Sequence, residues 1–295
     1  MREIFNFSAG PAMLPEEVLK QAQDEMFSLR GSGMSAMEIS HRSAQFDAVL
    51  QESKQDLRDL LKIPDNYEIL YEQGGASTQF AAIPMNLMKN KKADYVVSGS
   101  WSNKAWKEAA YFGDAKVLAS SKDQNFSTIP DVSKIDFRED ADYTYICMNE
   151  TIQGTHYAEF PQVKNPLVAD VSSCFLSEPL DVSKFGIVYG GVQKNIGPAG
   201  LAIVIIRKDL IRPQDELAFK TPSMLCYKTQ ADADSVYNTP AVWTIYICGL
   251  VFKWLKNIGG LDAMYQRNLD KAHLLYDYLD SSAMFSNPVA KKYSQ

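Results

Sequence analysis

Histidine and cysteine are scarce in this chain: three histidines (His41, His156, His273) and four cysteines (Cys147, Cys174, Cys226, Cys248) among 295 residues. The cysteines lie far apart and form no CxxC pair. That argues against a zinc cluster, so no metal site is expected, and reduced, buried thiols are. No apolar run reaches the ~20 residues that span a bilayer. The longest, "AVWTIYICGLVFKWLK", is interrupted by Lys253 and reads as a buried core helix. The N-terminus "MREIFNFSAG" lacks the apolar stretch of a secretory leader, so a cytoplasmic enzyme is expected. Basic residues do not predominate: 30 Lys and Arg stand against 36 Asp and Glu, a net charge of −6. A general nucleic-acid or acidic-membrane surface is therefore not expected, which leaves room for a local basic pocket for a phosphorylated small molecule. The GxGxxG fingerprint and the Walker phosphate loop are both missing.

What is present is an alternation of short apolar strands and helices, with 46% hydrophobic residues. "LPEEVLKQAQDEMFSLRG" predicts a helix that opens at Pro15 and stops at Gly31, and "SAQFDAVLQESKQDLRDLLKIP" predicts a second, stopped before Pro64. "YEILYEQGGASTQF" reads as a strand, a glycine turn and a helix starting near Ser77 or Thr78. "ADYVVSGSWSNKAWKEAAYFG" repeats that plan. "YTYICMNET", "PLVADVSS", "FGIVYGG" and "GLAIVIIR" are further strands. The pattern predicts an α/β fold with a mostly parallel, mixed sheet flanked by helices. In such sheets ligands bind beyond the carboxyl ends of the strands. The residues to inspect are then Gly74 to Thr78, Trp101, Asn149 to Thr151, Asp170, and Gln193 with Lys194.

Lys194 stands among glycines between two buried runs. Partial desolvation there makes an amine nucleophilic, as a Schiff-base lysine requires; a surface lysine in a turn is the plain alternative. Asp170 ends a buried strand, where a carboxylate is costly unless a cation faces it. A protonated pyridine nitrogen would be such a cation; a turn-capping Asp is the alternative. "QGGAST" offers helix-start amides and the hydroxyls of Ser77 and Thr78 to a phosphate, or is an ordinary glycine turn. Trp101 can stack on a flat ring or pack the sheet edge. Thr151 can bond a ring hydroxyl or simply turn the chain. His41 and Arg42 in "SHRS" can hold an anionic substrate, or belong to a solvated helix start capped by Ser40. Trp106 reads as core, His273 as helix surface, and His156 has no role assigned.

The ordered motifs "FNFSAGPAMLP", "MEISHRS", "YEQGGASTQFAAIPMNL", "NETIQG", "GVQKNIGPAGLAIVIIR" and "VYNTPAVWTIYICGLVFKWLKNIGG" resemble the phosphoserine aminotransferase family. The resemblance runs from residue 5 to about residue 260. It implies a fold-type I, pyridoxal-phosphate-dependent homodimer. The implied reaction exchanges an amino group between L-glutamate and 3-phosphohydroxypyruvate, in serine synthesis and, in some relatives, vitamin B6 synthesis. On these motifs Lys194 is the Schiff-base lysine and proton carrier, Asp170 the partner of the pyridine nitrogen, Trp101 the stacking ring and Thr151 the ring-oxygen contact. Ala76, Ser77 and Gln193 hold the phosphate. Asn238 and Thr239 reach the phosphate in the partner subunit; read by residue type alone they are a plain turn before Pro240. His41 and Arg42 form a substrate-anion site. Residues 15–257 are expected to form a large cofactor-binding domain, with 1–14 and 258–295 in a smaller one.

Two departures from the family pattern stand out. Ala9 occupies a position where serine is common. The chain ends at "NPVAKKYSQ", before the segment whose arginines grip substrate phosphate and carboxylate, which predicts cofactor binding with weak turnover. A paralogue that binds the cofactor and dimerises without catalysis is the alternative. A desulfurase or lyase ranks lower, since no cysteine marks a mobile catalytic loop.

Overall fold

In the computed structural model, which describes residues 4–294, five strands of the central sheet (those over 67–73, 92–97, 143–147, 167–170 and 187–191) end at or just before a candidate residue. The chain opens with α1 (Glu16–Asp24) and α2 (Ala44–Leu61). α1 is shorter than its periodicity predicts: Glu25 closes it, and the segment ahead of Gly31 is a separate 3-10 turn with Arg30 at φ 49°. α2 starts at Ser43, whose Oγ accepts from the Phe46 amide at 3.2 Å, so the cap is Ser43 and not Ser40. It ends with Lys62 in the left-handed region.

Next come β1 (Tyr67–Gln73), α3 (Ala76–Leu87), β2 (Lys92–Val97), α4 (Ser100–Ala109) and β3 (Asp114–Ser120). β4 (Tyr143–Cys147) is followed by a small ribbon of β5 (Asn149–Glu150) and β6 (Thr155–His156). β7 (Leu167–Asp170), β8 (Ile187–Gly191) and β9 (Leu201–Arg207) complete the strands, and α5 (Tyr227–Asp232), α6 (Val242–Asn257) and α7 (Gly260–Ser281) close the chain. The sequence reading missed β3 and the β5–β6 ribbon. Most of β3 is half-exposed or exposed, so its apolar pattern is weak; the ribbon strands are two residues each.

The seven strands of the main sheet follow the order β1-β9-β8-β7-β4-β2-β3. β9 runs antiparallel to both of its neighbours, and the pairings from β8 to β3 are parallel. Alternate residues of each strand feed two cores. Ile69, Tyr71, Ile203 and Ile205 pack with Phe46, Val49 and the buried face of α6. Leu70, Val204, Tyr95, Tyr145 and Tyr189 pack with Phe80, Ile83 and Ala105 of α3 and α4. Helices therefore cover both faces, the arrangement that buries a largely parallel sheet. "AVWTIYICGLVFKWLK" is α6, a core helix with ten buried residues. Among the described residues no helix is long and apolar enough to cross a membrane. The four cysteines are buried and free.

Candidate active site

The carboxyl ends of β1, β2, β4, β7 and β8 lie along one edge of the sheet, because these strands run the same way. The candidate residues follow those ends. Gly191 closes β8, and a 3-10 turn over Val192–Lys194 swings the Lys194 amine back across the edge. Lys194 Nζ donates to Thr151 Oγ1 at 2.6 Å and sits 4.5 Å from the centre of the Trp101 ring. A second cation, Lys104 Nζ on α4, also lies 4.5 Å from that ring. The segment before α1 packs against the lysine stem: a Cβ on Gly10 would meet Lys194 Cγ at 2.8 Å. The Ala12 amide donates to the Gln193 carbonyl at 2.9 Å.

Asp170 is the last residue of β7 and is buried. Its Oδ1 accepts from the Ser172 amide at 2.8 Å and the Ser172 hydroxyl at 2.6 Å. Among the described residues its Oδ2 has only the Tyr189 hydroxyl at 3.4 Å, which in turn lies 2.7 Å from the Tyr145 hydroxyl. Burial pushes the Asp170 carboxyl up; the Ser172 bonds and the nearby Lys194 charge work in the other direction. A buried carboxylate with one oxygen this poorly matched has room to accept from a cation or an N–H donor.

The phosphate candidates meet at the end of β1. Helix α3 begins at Ala76, one residue before the predicted start, with the Gly75 cap supplying no side chain. A Cβ on Gly191 would lie 2.7 Å from Gln193 Oε1 and 3.3 Å from the Ala76 amide nitrogen. The three residues therefore converge only because position 191 has no side chain. Ser77 is exposed at the same helix start. Gln73 Nε2 donates to Asn238 Oδ1 and to the Thr239 carbonyl, both at 2.7 Å, and so ties "YNTP" to the strand that leads into this cradle. Asn238 and Thr239 are both exposed.

His41 and Arg42 lie in the loop before α2. Arg42 is exposed, and His41 Nε2 is buried without a hydrogen-bond partner among the described residues. No hydrogen bond or ion pair among those residues joins them to the Lys194 cluster. Trp106 is half-buried and donates to the Ala115 carbonyl at 2.9 Å; His273 is exposed on α7. His156, unassigned from sequence, lies 2.7 Å from Glu178 through Nε2. A cavity of about 840 Å3 lies beside the cluster rather than over it, lined by Phe7, Ser173, Asn195 and Leu275 among others.

Glu150 falls in the strand-end stretch Asn149 to Thr151 marked from sequence, but without a role of its own; Gln153, Ser172 and Tyr189 are not marked there at all. Glu150 lies within the quoted "NET" motif, but a glutamate in a turn ordinarily faces water. Only the packing of α4 over the ribbon reveals that it is fully buried.

This geometry, a lysine beside an aromatic ring, a buried carboxylate and a phosphate-sized cradle at the strand ends, has clear relatives. The class-V aminotransferase family model matches residues 4–295. The phosphoserine aminotransferase of Nitrosomonas europaea is 51% identical over 98% of this chain and 80% of its own length. The chain belongs to the phosphoserine aminotransferase family. A solved phosphoserine aminotransferase, described for radiation damage to its Schiff base, superposes with a TM-score of 0.96 at 42% identity, covering 100% of this chain and 82% of that one. The pyridoxal-phosphate-bound phosphoserine aminotransferase of Trichomonas vaginalis gives 0.93 at 39% identity, over 98% and 81%. The mixed, mostly parallel sheet expected from the strand pattern is thus the fold of this family.

Proposed function

We propose that the chain is a pyridoxal-phosphate-dependent phosphoserine aminotransferase. It moves the amino group of L-glutamate to 3-phosphohydroxypyruvate, giving O-phospho-L-serine and 2-oxoglutarate, in serine synthesis. The observation that carries this reading is the meeting of Lys194, Thr151 and Trp101 beside buried Asp170 in a chain 51% identical to a named phosphoserine aminotransferase. Relatives named as transaminases favour an enzyme over a paralogue that only binds the cofactor.

The residues present fit the cofactor. Asp170 has an under-partnered oxygen for a ring nitrogen, and Gly191 leaves open the space between Gln193 and the Ala76 amide. Bound pyridoxal phosphate supplies an aldehyde that condenses with amines and a protonated ring that accepts electrons. Lys194 Nζ is the amine of the site and takes and returns the proton at the substrate's α-carbon; Thr151 Oγ1 holds it in place. Asp170 keeps a proton on the ring nitrogen by charge. Trp101 provides a flat face for the ring. Ala76, Ser77 and Gln193 present donors to the phosphate at the start of α3, where the helix dipole favours an anion. Asn238 and Thr239 serve the phosphate across a homodimer interface, and their exposure leaves them free to do so. His41 and Arg42 bind a substrate anion. A cytoplasmic location belongs to the same proposal. So does a large domain of residues 15–257 with a smaller one from 1–14 and 258–295, which is supported by α7 burying only Leu261.

The test is direct. Incubated with pyridoxal phosphate, the protein should turn yellow and form O-phospho-L-serine from L-glutamate and 3-phosphohydroxypyruvate, with one 2-oxoglutarate per phosphoserine. Lys194→Ala should remove both the visible band of the lysine-bound cofactor and turnover. A colourless parent protein, or a Lys194→Ala variant that keeps the band, would overturn the assignment.

A further inference from the structure

Glu150 is the most fully buried carboxylate at the site's edge and touches none of the atoms assigned to the cofactor. It ends β5, one residue before Thr151. Its Oε2 accepts from the Trp101 amide at 2.8 Å, and its Oε1 accepts from the Ser102 amide at 2.9 Å and the Ser102 hydroxyl at 2.5 Å. The carboxylate therefore closes the first turn of α4, where free amides and the helix dipole both favour a negative charge. Gly99 makes room for it: a Cβ there would lie 2.4 Å from Glu150 Cδ.

The same loop grips α4 a second time. Gln153 Oε1 accepts from the Ser100 amide at 3.1 Å, and its Nε2 donates to Ser100 Oγ at 2.8 Å. On the other side, Asn149 Nδ2 donates to Ser173 Oγ at 2.7 Å, and that hydroxyl donates back to the Asn149 carbonyl at 2.9 Å, just beyond Asp170 and Ser172. Trp101 comes from α4, Thr151 from the ribbon and Lys194 from the turn after β8. Glu150 is the charged group that binds the first of these to the second.

We infer that Glu150 is a positioning residue for the cofactor: through the first turn of α4 it fixes the Trp101 ring relative to Thr151 and the Lys194 amine. The inference rests on the cofactor reading above and adds a residue that reading does not use. A neutral amide at position 150 can keep at most one of its two oxygen positions as an acceptor, and turns an N–H toward donors at the other. The Trp101 and Ser102 amides would then compete for one acceptor, and the ring platform would loosen without a change in core volume. Burial pushes the Glu150 carboxyl up, against the bonds from Ser102 and Trp101. Glu150 is fully buried, so water does not replace these bonds when they are lost.

The experiment compares Glu150→Gln and Gln153→Ala with the parent protein, with and without pyridoxal phosphate. Without cofactor, hydrogen exchange of the 101 and 102 amides should rise about tenfold or more in Glu150→Gln, as expected for losing a charge-assisted bond, while amides of β7 and β8 stay protected. With cofactor, the induced circular dichroism of the bound chromophore should fall, Trp101 fluorescence should be less quenched, and the Kd for pyridoxal phosphate should rise about tenfold. Gln153→Ala should shift each readout in the same direction and by less. Unchanged exchange at 101 and 102, or a parent-like dichroic band and Kd in Glu150→Gln, would overturn the inference. A parent protein that binds no pyridoxal phosphate would instead sink the cofactor reading, and the exchange measurement on the unloaded protein would still judge the positioning role.

Discussion

Glu72 shows how far the surroundings of one side chain can move its chemistry. It lies on β1, one residue before Gln73, with Oε1 buried and no hydrogen-bond partner among the described residues. Burial alone pushes its carboxyl up to about 8. The folded state thus holds a proton that the unfolded chain releases near 4.5, so between those values folding takes up a proton. Stability then falls as pH rises from about 4.5 to about 8, the reverse of a salt-bridged carboxylate. Glu72→Gln carries no charge at any pH and should flatten this slope, raising Tm most at and above pH 8. Parallel Tm-against-pH curves for parent and variant would show that the carboxyl is not held protonated. Asp170 is raised in the same direction by the same cause, but a cation on the cofactor would reverse its shift. Two carboxyl side chains pushed the same way by burial would thus separate, one kept neutral and one held by a partner.

At the scale of elements, two helix starts illustrate different jobs. α2 is capped by its own Ser43 and carries core residues Phe46, Val49, Leu50 and Leu57 toward α6. Ser43→Ala should cost about 1 kcal/mol of stability, visible as a lower denaturant midpoint, and leave the Kd for pyridoxal phosphate unchanged. α4 is capped from outside, by Glu150 of the ribbon. Gly99→Ala would drive a methyl into that carboxyl and should weaken cofactor binding more than it lowers the midpoint. Equal effects on both quantities from the two substitutions would mean that the α4 cap is structural only.

The whole molecule enters through the proposed homodimer. Asn238 and Thr239 are exposed and tied by Gln73 to the start of the phosphate cradle. In a homodimer that uses them across the interface, each site needs Lys194 from one chain and Asn238 from the other. Mixing Lys194→Ala with Asn238→Ala after subunit exchange should then create one intact site per hybrid dimer. Tight pyridoxal phosphate binding should return to a fraction of sites set by the mixing ratio. If the mixture binds no better than the Asn238→Ala protein alone, Asn238 works within its own chain.

Much of this was open in the linear sequence because the information is local. The short, nearly continuous apolar runs of β1, β4, β7, β8 and β9 encode their strands, since burial on both faces calls for apolar side chains at most positions. Small and polar residues just after the strand runs, those of β2 included, mark the carboxyl-end edge where ligands bind in such sheets; Lys194, Asp170, Trp101, Thr151 and the Gly74 to Thr78 turn with Ala76 are named by that rule. Order within the sheet was not open: β9 pairs locally with β8, but its pairing with β1, which places it between the two, spans more than a hundred residues of chain. Nor was the fate of Glu150, a residue type that ordinarily seeks water. A carboxylate becomes an internal cap only when a helix start from elsewhere in the chain is brought over it and a glycine leaves room, and neither condition is written at position 150.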